Sequence, residues 1–359
     1  MKKNLFFGLC AASMLLMTSC DKEAFGGRFG EQETNVTLSV SLPELQTRAY
    51  GTGANAKYLQ YAVYSLDAQG ALNEQIEKTN LVLTKLAQND LSIKLVPGTK
   101  YAIVLWADAY GASTSPFTVT MEKNQSGEFV NTLTVNNTAI KTSDDNADAF
   151  FGSYEINVTG VNQYTITDAL NNDAEIGTDL ELKRPFAQLN ISSTIADYNT
   201  LINSGFALAK TTVEIQNAYS SMDLRTGDML GGNNGVAVKY ALNDLPTLQS
   251  EETANHKLLT MNYILMSADK FTANKVIFTY SDGTEEGTKT KEYSYVPLRR
   301  NWRTNIYGEL FTNDVKIFVS IAPNFANQTT EDEDENGTAN DEQYSGNNGD
   351  FSAYDTTNP

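Results

Sequence analysis

One histidine, His256, and two cysteines, Cys10 and Cys20, make up all of the chain's imidazole and thiol chemistry. A Cys–His couple or a Ser–His–acid triad would have to recruit His256. That residue precedes the apolar run KLLTMNYILM and reads as a loop or strand-edge position. A zinc site of His and Cys ligands cannot be assembled from this set. Carboxylates are abundant instead, with 44 Asp plus Glu against 26 Lys plus Arg in 359 residues. Among them Asp144, Asn146, Asp148 and Glu155 fall on the first, third, fifth and twelfth positions of a calcium loop. Ala149 stands where that loop needs glycine, and no helical pattern flanks it, so no resident metal is expected. Acids are too common for a glycosidase pair to be singled out. The glycines of GDMLGGNNG (227–235) lack the Lys-Ser/Thr of a phosphate loop and read as a hairpin or loop. Nothing here assembles a catalytic constellation or a cofactor motif, and an enzyme is not expected.

The elements that would position any site are short and extended. In NVTLSVSL (35–42), Val36, Leu38, Val40 and Leu42 share one face, while Thr37, Ser39 and Ser41 share the other. That period of two is a half-buried strand, and Pro43 ends it. Comparable runs occur at 58–66, 91–96, 101–107, 116–121, 129–135, 155–165, 180–183 and 187–192. They continue at 211–216, 237–241, 257–266, 274–280, 291–297, 304–311 and 315–321. Turn chemistry such as Pro97-Gly98 and Ser281-Asp282-Gly283 separates them, and helical turns fit only near 196–204. Regularly spaced strands with few helices indicate an all-β fold of sandwich domains. The Asn/Asp-rich stretch 168–175 lies near a boundary that would split the chain into halves of similar size.

Apolar content is 41% and Tyr plus Phe number 34, as suits a folded β-rich protein. The net charge is −18, and nine of the acids fall in the last 30 residues, where there is no Lys or Arg. Half of the net charge therefore belongs to an acidic tail, residues 329–359, expected to be flexible. Such a charge argues against nucleic acid as a partner.

The first twenty residues, MKKNLFFGLCAASMLLMTSC, have Lys2 and Lys3 before an apolar stretch, Leu5 to Met17, too short to span a bilayer. Thr18 and Ser19 precede Cys20, and the whole resembles the lipobox of bacterial lipoproteins. The resemblance implies a signal peptide over 1–19 and acylation of Cys20. More than one acyl chain gives stable anchoring, at about 0.8 kcal/mol per buried CH₂. Residues 20–33 then read as a lipidated, Gly-containing tether. The charged residues directly after Cys20 resemble the surface-export signals of some outer-membrane lipoproteins. Cys10 leaves with the signal peptide, so no structural disulfide is expected in the mature chain.

KYAIVLWADAYG (100–111), NADAFFGS (146–153), LKRPFAQLNI (182–191), VPLRRNWRTNIYGELFT (296–312) and DVKIFVSIAP (314–323) resemble the fimbrillin family, the lipoprotein-derived pilins of type V pili in Gram-negative anaerobes. The likeness spans roughly residues 35–325. It implies two tandem transthyretin-like β-sandwich domains with short helical turns, here 34–180 and 181–328. It makes Trp106 and Trp302 core or domain-interface groups and gives Arg184 and Arg303 acidic partners.

In such pilins an Arg-specific protease cuts a loop after the first strand, the strand leaves, and another subunit's C-terminal segment fills the groove. The matching loop here is 43–53, with Arg48 and Ala49 before a Gly-containing run. Losing the first strand would uncover the sites of Val36, Leu38, Val40 and Leu42, roughly 6–12 kcal/mol of apolar side chain at roughly 1.5–3 kcal/mol each. A donor segment is harder to find. Beyond 325 the aromatics Tyr344, Phe351 and Tyr354 are isolated among charges, which points to a minor or tip-type subunit, with a stalk subunit next. The expected partners are other pilin subunits, the protease, the outer membrane through Cys20, and a host or bacterial surface ligand. The competing expectation is a surface glycan-binding lipoprotein of the outer membrane, which has no use for a cleavable first strand.

Overall fold

Alternating burial along the strands stacks this chain into layers. The computed structural model describes residues 33–43, 53, 55–82, 89–111, 115–171, 174–216, 218–230, 237–239, 243–244, 255–268, 272–312, 317–323 and 343–346. In chain order the first strands are β1 (Thr34–Ser41), β2 (Tyr58–Leu66), β3 (Leu72–Val82), β4 (Asn89–Leu95), β5 (Thr99–Asp108), β6 (Phe117–Lys123) and β7 (Phe129–Val135). A 3-10 turn at Asp145–Ala147 leads to β8 (Phe150–Gly160), β9 (Gln163–Asp168), β10 (Ala174–Ile176), β11 (Asp179–Glu181) and β12 (Phe186–Thr194). Helix α1 (Ile195–Asn203) follows, then β13 (Lys210–Gln216), β14 (Ser221–Asp223), β15 (Ala237–Lys239) and β16 (Asn243–Asp244). The last are β17 (His256–Leu265), β18 (Thr272–Ser281), β19 (Lys289–Leu298), β20 (Trp302–Gly308), β21 (Ile317–Pro323) and β22 (Gln343–Gly346). The fold is all-β, as expected, with α1 where helical turns were placed.

The strands form five sheets, ordered β11-β1-β4, β10-β9-β8-β5-β2-β3, β14-β7-β6, β17-β12-β20-β21-β22 and β15-β13-β18-β19. The six-stranded sheet is a middle layer. Successive side chains of β2 point to opposite faces. Leu59, Tyr61 and Val63 enter a core shared with Val36, Leu38, Leu91 and Ile93, whereas Ala62 and Tyr64 enter a second core. In β5, Ile103 and Leu105 face the first core and Val104 and Trp106 the second. The second core continues without a break into the later sheets. Trp106 meets Phe117 edge-on at 5.3 Å, Phe117 lies 5.5 Å from Phe186, and Phe186 meets Tyr263 at 6.4 Å. β14, from the later half of the chain, pairs with β7 through Met222↔Leu133.

Turn residues set the hairpins. Asp67 Oδ1 accepts the N–H groups of Gln69 and Ala71, and Gly70 adopts φ +81° between β2 and β3. Helix α1 starts at Thr194, whose hydroxyl accepts the Asp197 N–H.

Several elements differ from the expectation, among them the short strands β10, β14 and β16, which were not read as strands. β3 is a full strand, yet LNEQIEKTNLV was not read as one, because it edges the middle sheet with much of its length in water. The run expected at 155–165 is two strands, β8 and β9, reversed at Val161-Asn162 with Asn162 at φ 57°. Within the tail expected to be flexible, β22 pairs antiparallel with β21, Val319 opposite Tyr344.

Candidate functional site: the seat of the first strand

β1 is the middle strand of its sheet. It pairs antiparallel with β4 from Thr34↔Leu95 to Val40↔Asn89, and parallel with β11 from Ser39↔Asp179 to Ser41↔Glu181. Val36, Leu38 and Val40 are wholly buried, and Leu42 is half-buried against the same core. Asn35 and Thr37, on the opposite face, are exposed. At one end the Thr34 hydroxyl donates to the Gly160 carbonyl (3.1 Å) and accepts from the Asn162 N–H. At the other, the Ser39 N–H donates to the Thr178 carbonyl and the Leu182 N–H to the Ser41 carbonyl. Taking β1 away would leave two facing strand edges over an apolar floor.

A buried ion pair closes the far side of this seat. Arg184 Nε and Nη2 donate to Asp148 Oδ1 and Oδ2 at 2.9 and 3.1 Å, and the guanidinium lies over the Phe150 ring at 4.8 Å. Burial pushes the Asp148 carboxyl up, while Arg184, the Gly53 N–H and the charge of Arg303 pull it down. Gly53, at φ +65°, is thus held on Asp148. A Cβ at this position would stand 2.5 Å from the Phe150 ring, so glycine is required twice over. Tyr263 donates to Asp145 (3.0 Å), tying β17 to the same corner.

Cys20, Arg48 and Ala49 lie outside the described residues. The calcium spacing does not become a cage. Asp148 is committed to Arg184, and Asp144 caps the 3-10 turn and accepts from the Tyr110 hydroxyl (2.8 Å). Glu155 lies five residues into β8, roughly 16 Å along an extended strand, and faces Arg225 at 3.5 Å. Among the described residues no three His, Cys, Asp or Glu side chains group around a possible metal position. His256 begins β17 and meets Tyr307 edge-on at 5.1 Å. Arg303, read as an acid's partner, donates to the Gln188 amide oxygen in the core. Trp106 is a core group, as read, its Nε1 donating to Asp108 (2.7 Å).

Trp302 is only half-buried, because it lines a cavity of about 550 Å³ that sequence reasoning missed. Lys183, Arg299 and Arg300 contribute cations to its wall, Asp228 an acid, and Tyr219 and Phe151 further rings. Arg299 Nε donates to the Ala268 carbonyl, and Arg300 Nε and Nη2 to those of Met266 and Gly227. The one signal in the sequence was the Arg-Arg-Asn-Trp cluster itself, read there as structural.

A family model described as a family of unknown function (DUF6562) matches residues 28–350. No curated protein matches the chain. Among solved structures, a fimbrial assembly protein from Parabacteroides distasonis aligns over 81% of this chain and 97% of its own, with 15% identity and a TM-score of 0.38. A candidate adhesin from Bacteroides thetaiotaomicron aligns over 81% and 96%, at 13% identity and TM-score 0.45. The C-terminally truncated tip fimbrial protein Mfa3 from Porphyromonas gingivalis aligns over 81% and 100%, at 12% and 0.40. Among the described residues no helix is long and apolar enough to cross a membrane.

Proposed function

This chain belongs to the DUF6562 family, a family of unknown function, and we propose that it is a non-catalytic fimbrial subunit assembled by strand exchange. On this reading it is exported as an outer-membrane lipoprotein acylated at Cys20. Its two β-sandwich domains span 34–180 and 181–328. An Arg-specific protease cuts between Arg48 and Ala49, β1 departs, and a strand from another subunit takes its place.

The observation that carries this reading is the seat of β1: one strand, held between two others by its backbone and by three wholly buried side chains, and followed by a sequence segment, 43–53, whose sole basic residue is Arg48. A vacated seat would expose both main-chain edges and an apolar floor, the combination that drives β-augmentation. The Gly53–Asp148 contact lies beyond the cut, so residues from Gly53 onward keep their anchor while 34–48 leave. A glycan-binding lipoprotein would need neither feature.

A tip-type or minor position is favoured over a stalk position because the tail has no long apolar alternation. β22 is four residues and is already paired with β21.

The test is digestion of the purified protein with an Arg-specific protease, followed by mass spectrometry and gel filtration. One cut after Arg48, loss of the segment up to it and a shift to oligomers support the reading, and Arg48→Gln should abolish all three. Resistance at Arg48, or cleavage with retained β1 and a persistent monomer, sinks it.

A further inference from the structure

Among the described residues the longest strands at sheet edges are β3, β17 and β19, of eleven, ten and ten residues. The N–H groups of Ser143 and Tyr219 donate to the Met261 and Leu265 carbonyls, which covers β17. β3 and β19 keep much of their length in water, where an edge can template pairing with another chain. We infer that β19 is a guarded edge: two core-side lysines, Lys289 and Lys291, and a bulge at Ser294–Tyr295 keep a second copy of this chain from adding a strand there. This guard acts on the uncut protein and does not rest on release of β1.

The lysines are the first obstacle. Directly opposite residues of an antiparallel pair share a face. Lys289 stands opposite Tyr280 and Lys291 opposite Phe278, and both of those rings are buried in the second core. The two lysines therefore lie on the core-facing side, where the sheet runs out into solvent. Lys289 is exposed and Lys291 half-buried. A strand laid against β19 would extend the sheet past them and bury both charges, which is costly.

The bulge is the second. Tyr293 pairs with Val276 and Val296 with Asn274, so Ser294 and Tyr295 together oppose Lys275. Tyr295 adopts φ +60°, a left-handed conformation that a bulky side chain disfavours. The residue is 53% exposed, so core packing does not account for that conformation. Beyond the bulge Val296, Pro297 and Leu298 are buried. Pro297 has no N–H to offer a new strand, and its carbonyl accepts from the Thr304 hydroxyl (2.6 Å). The straight part of the free edge is thus only Lys289–Tyr293.

β3 carries the same two devices. Glu77 and Lys78 stand opposite Val63 and Ala62, whose side chains enter the two cores, and the register shifts twice along the pair. A chain proposed to polymerise through one vacated seat gains from long edges that refuse strands elsewhere.

Sedimentation equilibrium of the purified, uncut full chain tests this, with hydrogen exchange to locate any contact. Deleting Tyr295 lets Ser294 oppose Lys275 and leaves both flanking pairs in register. Combined with Lys289→Thr and Lys291→Thr, the deletion should tighten self-association at least tenfold over the parent, roughly the smallest shift that decides the matter. The Lys289–Tyr293 amides should become protected as the oligomer forms. Tyr295→Gly, which keeps the bulge, should stay as monomeric as the parent. The inference is overturned if the combined variant folds and associates no more than the parent, or if it associates without protecting those amides. A parent that already pairs through these amides, or a Tyr295→Gly protein that associates like the combined variant, overturns it too. If the combined variant does not fold, Lys289→Thr with Lys291→Thr alone decides by the same two readouts.

Discussion

Arg184 grips Asp148 through two hydrogen bonds at 2.9 and 3.1 Å, and neither side chain is more than 2% exposed. The pair joins the segment before β12 to the segment before β8. Through the Gly53 N–H it also holds the chain at Gly53. Removing either partner leaves a buried charge without its counter-charge. Asp148→Ala and Arg184→Ala should each lower the unfolding free energy by about 3–5 kcal/mol in urea titrations. The double variant Asp148→Leu plus Arg184→Met should lose clearly less than the two singles together, since it leaves neither member of this pair as a buried charge without the other.

Gly53→Ala puts a methyl group into the Phe150 ring at a left-handed backbone position. Ring and backbone cannot both give way without disturbing Asp148. A loss of at least about 1–3 kcal/mol is expected, read as a lowered urea midpoint with an unchanged slope. A neutral result would mean that Gly53 is not held on Asp148.

Leu38→Ala removes a wholly buried side chain from the middle of β1. In the uncut protein it should cost about 2–5 kcal/mol. In protein cut after Arg48 the same change should speed loss of the released strand, followed by mass spectrometry of the retained fragment. Thr37→Ala, on the exposed face, should leave that rate nearly unchanged.

Alkaline pH should unfold the protein. The Tyr61 hydroxyl is pushed up to about 12, first by burial and then by its bond to Glu77. Burial pushes Tyr64, Tyr110, Tyr154 and Tyr263 higher still. An unfolded tyrosine loses its proton near pH 10, so above that pH the unfolded chain holds fewer protons than the folded one. Stability therefore falls as pH rises past about 10, and the loss deepens until the folded hydroxyls themselves ionise. Urea midpoints measured between pH 8 and pH 11, at roughly half-unit steps, should be level at first and then decline. Tyr61→Phe should soften the decline.

What the sequence by itself determined was local. The alternation of Val36, Leu38 and Val40 placed β1 and its buried face, and Pro97-Gly98 and Ser281-Asp282-Gly283 placed two reversals, because a side-chain period and a turn depend on neighbours along the chain. An acidic partner for Arg184 was implied only by the family resemblance of LKRPFAQLNI, not by its neighbours along the chain. That the acid is Asp148, 36 residues away, was decided by the packing of the segments that carry them. β3 escaped notice because an edge strand keeps charged residues, so its burial carries little period. β22 escaped because four residues acquire strand form only from the edge of β21. The calcium spacing, which already lacked its glycine in the sequence, presumes a loop, whereas β8 extends the chain through Glu155. Of the cavity at Trp302 the sequence showed only the Arg299-Arg300-Asn301-Trp302 cluster. Its wall is drawn from connections between Phe151 and Trp302, and only the closing of the sheets around a shared core brings such distant segments together.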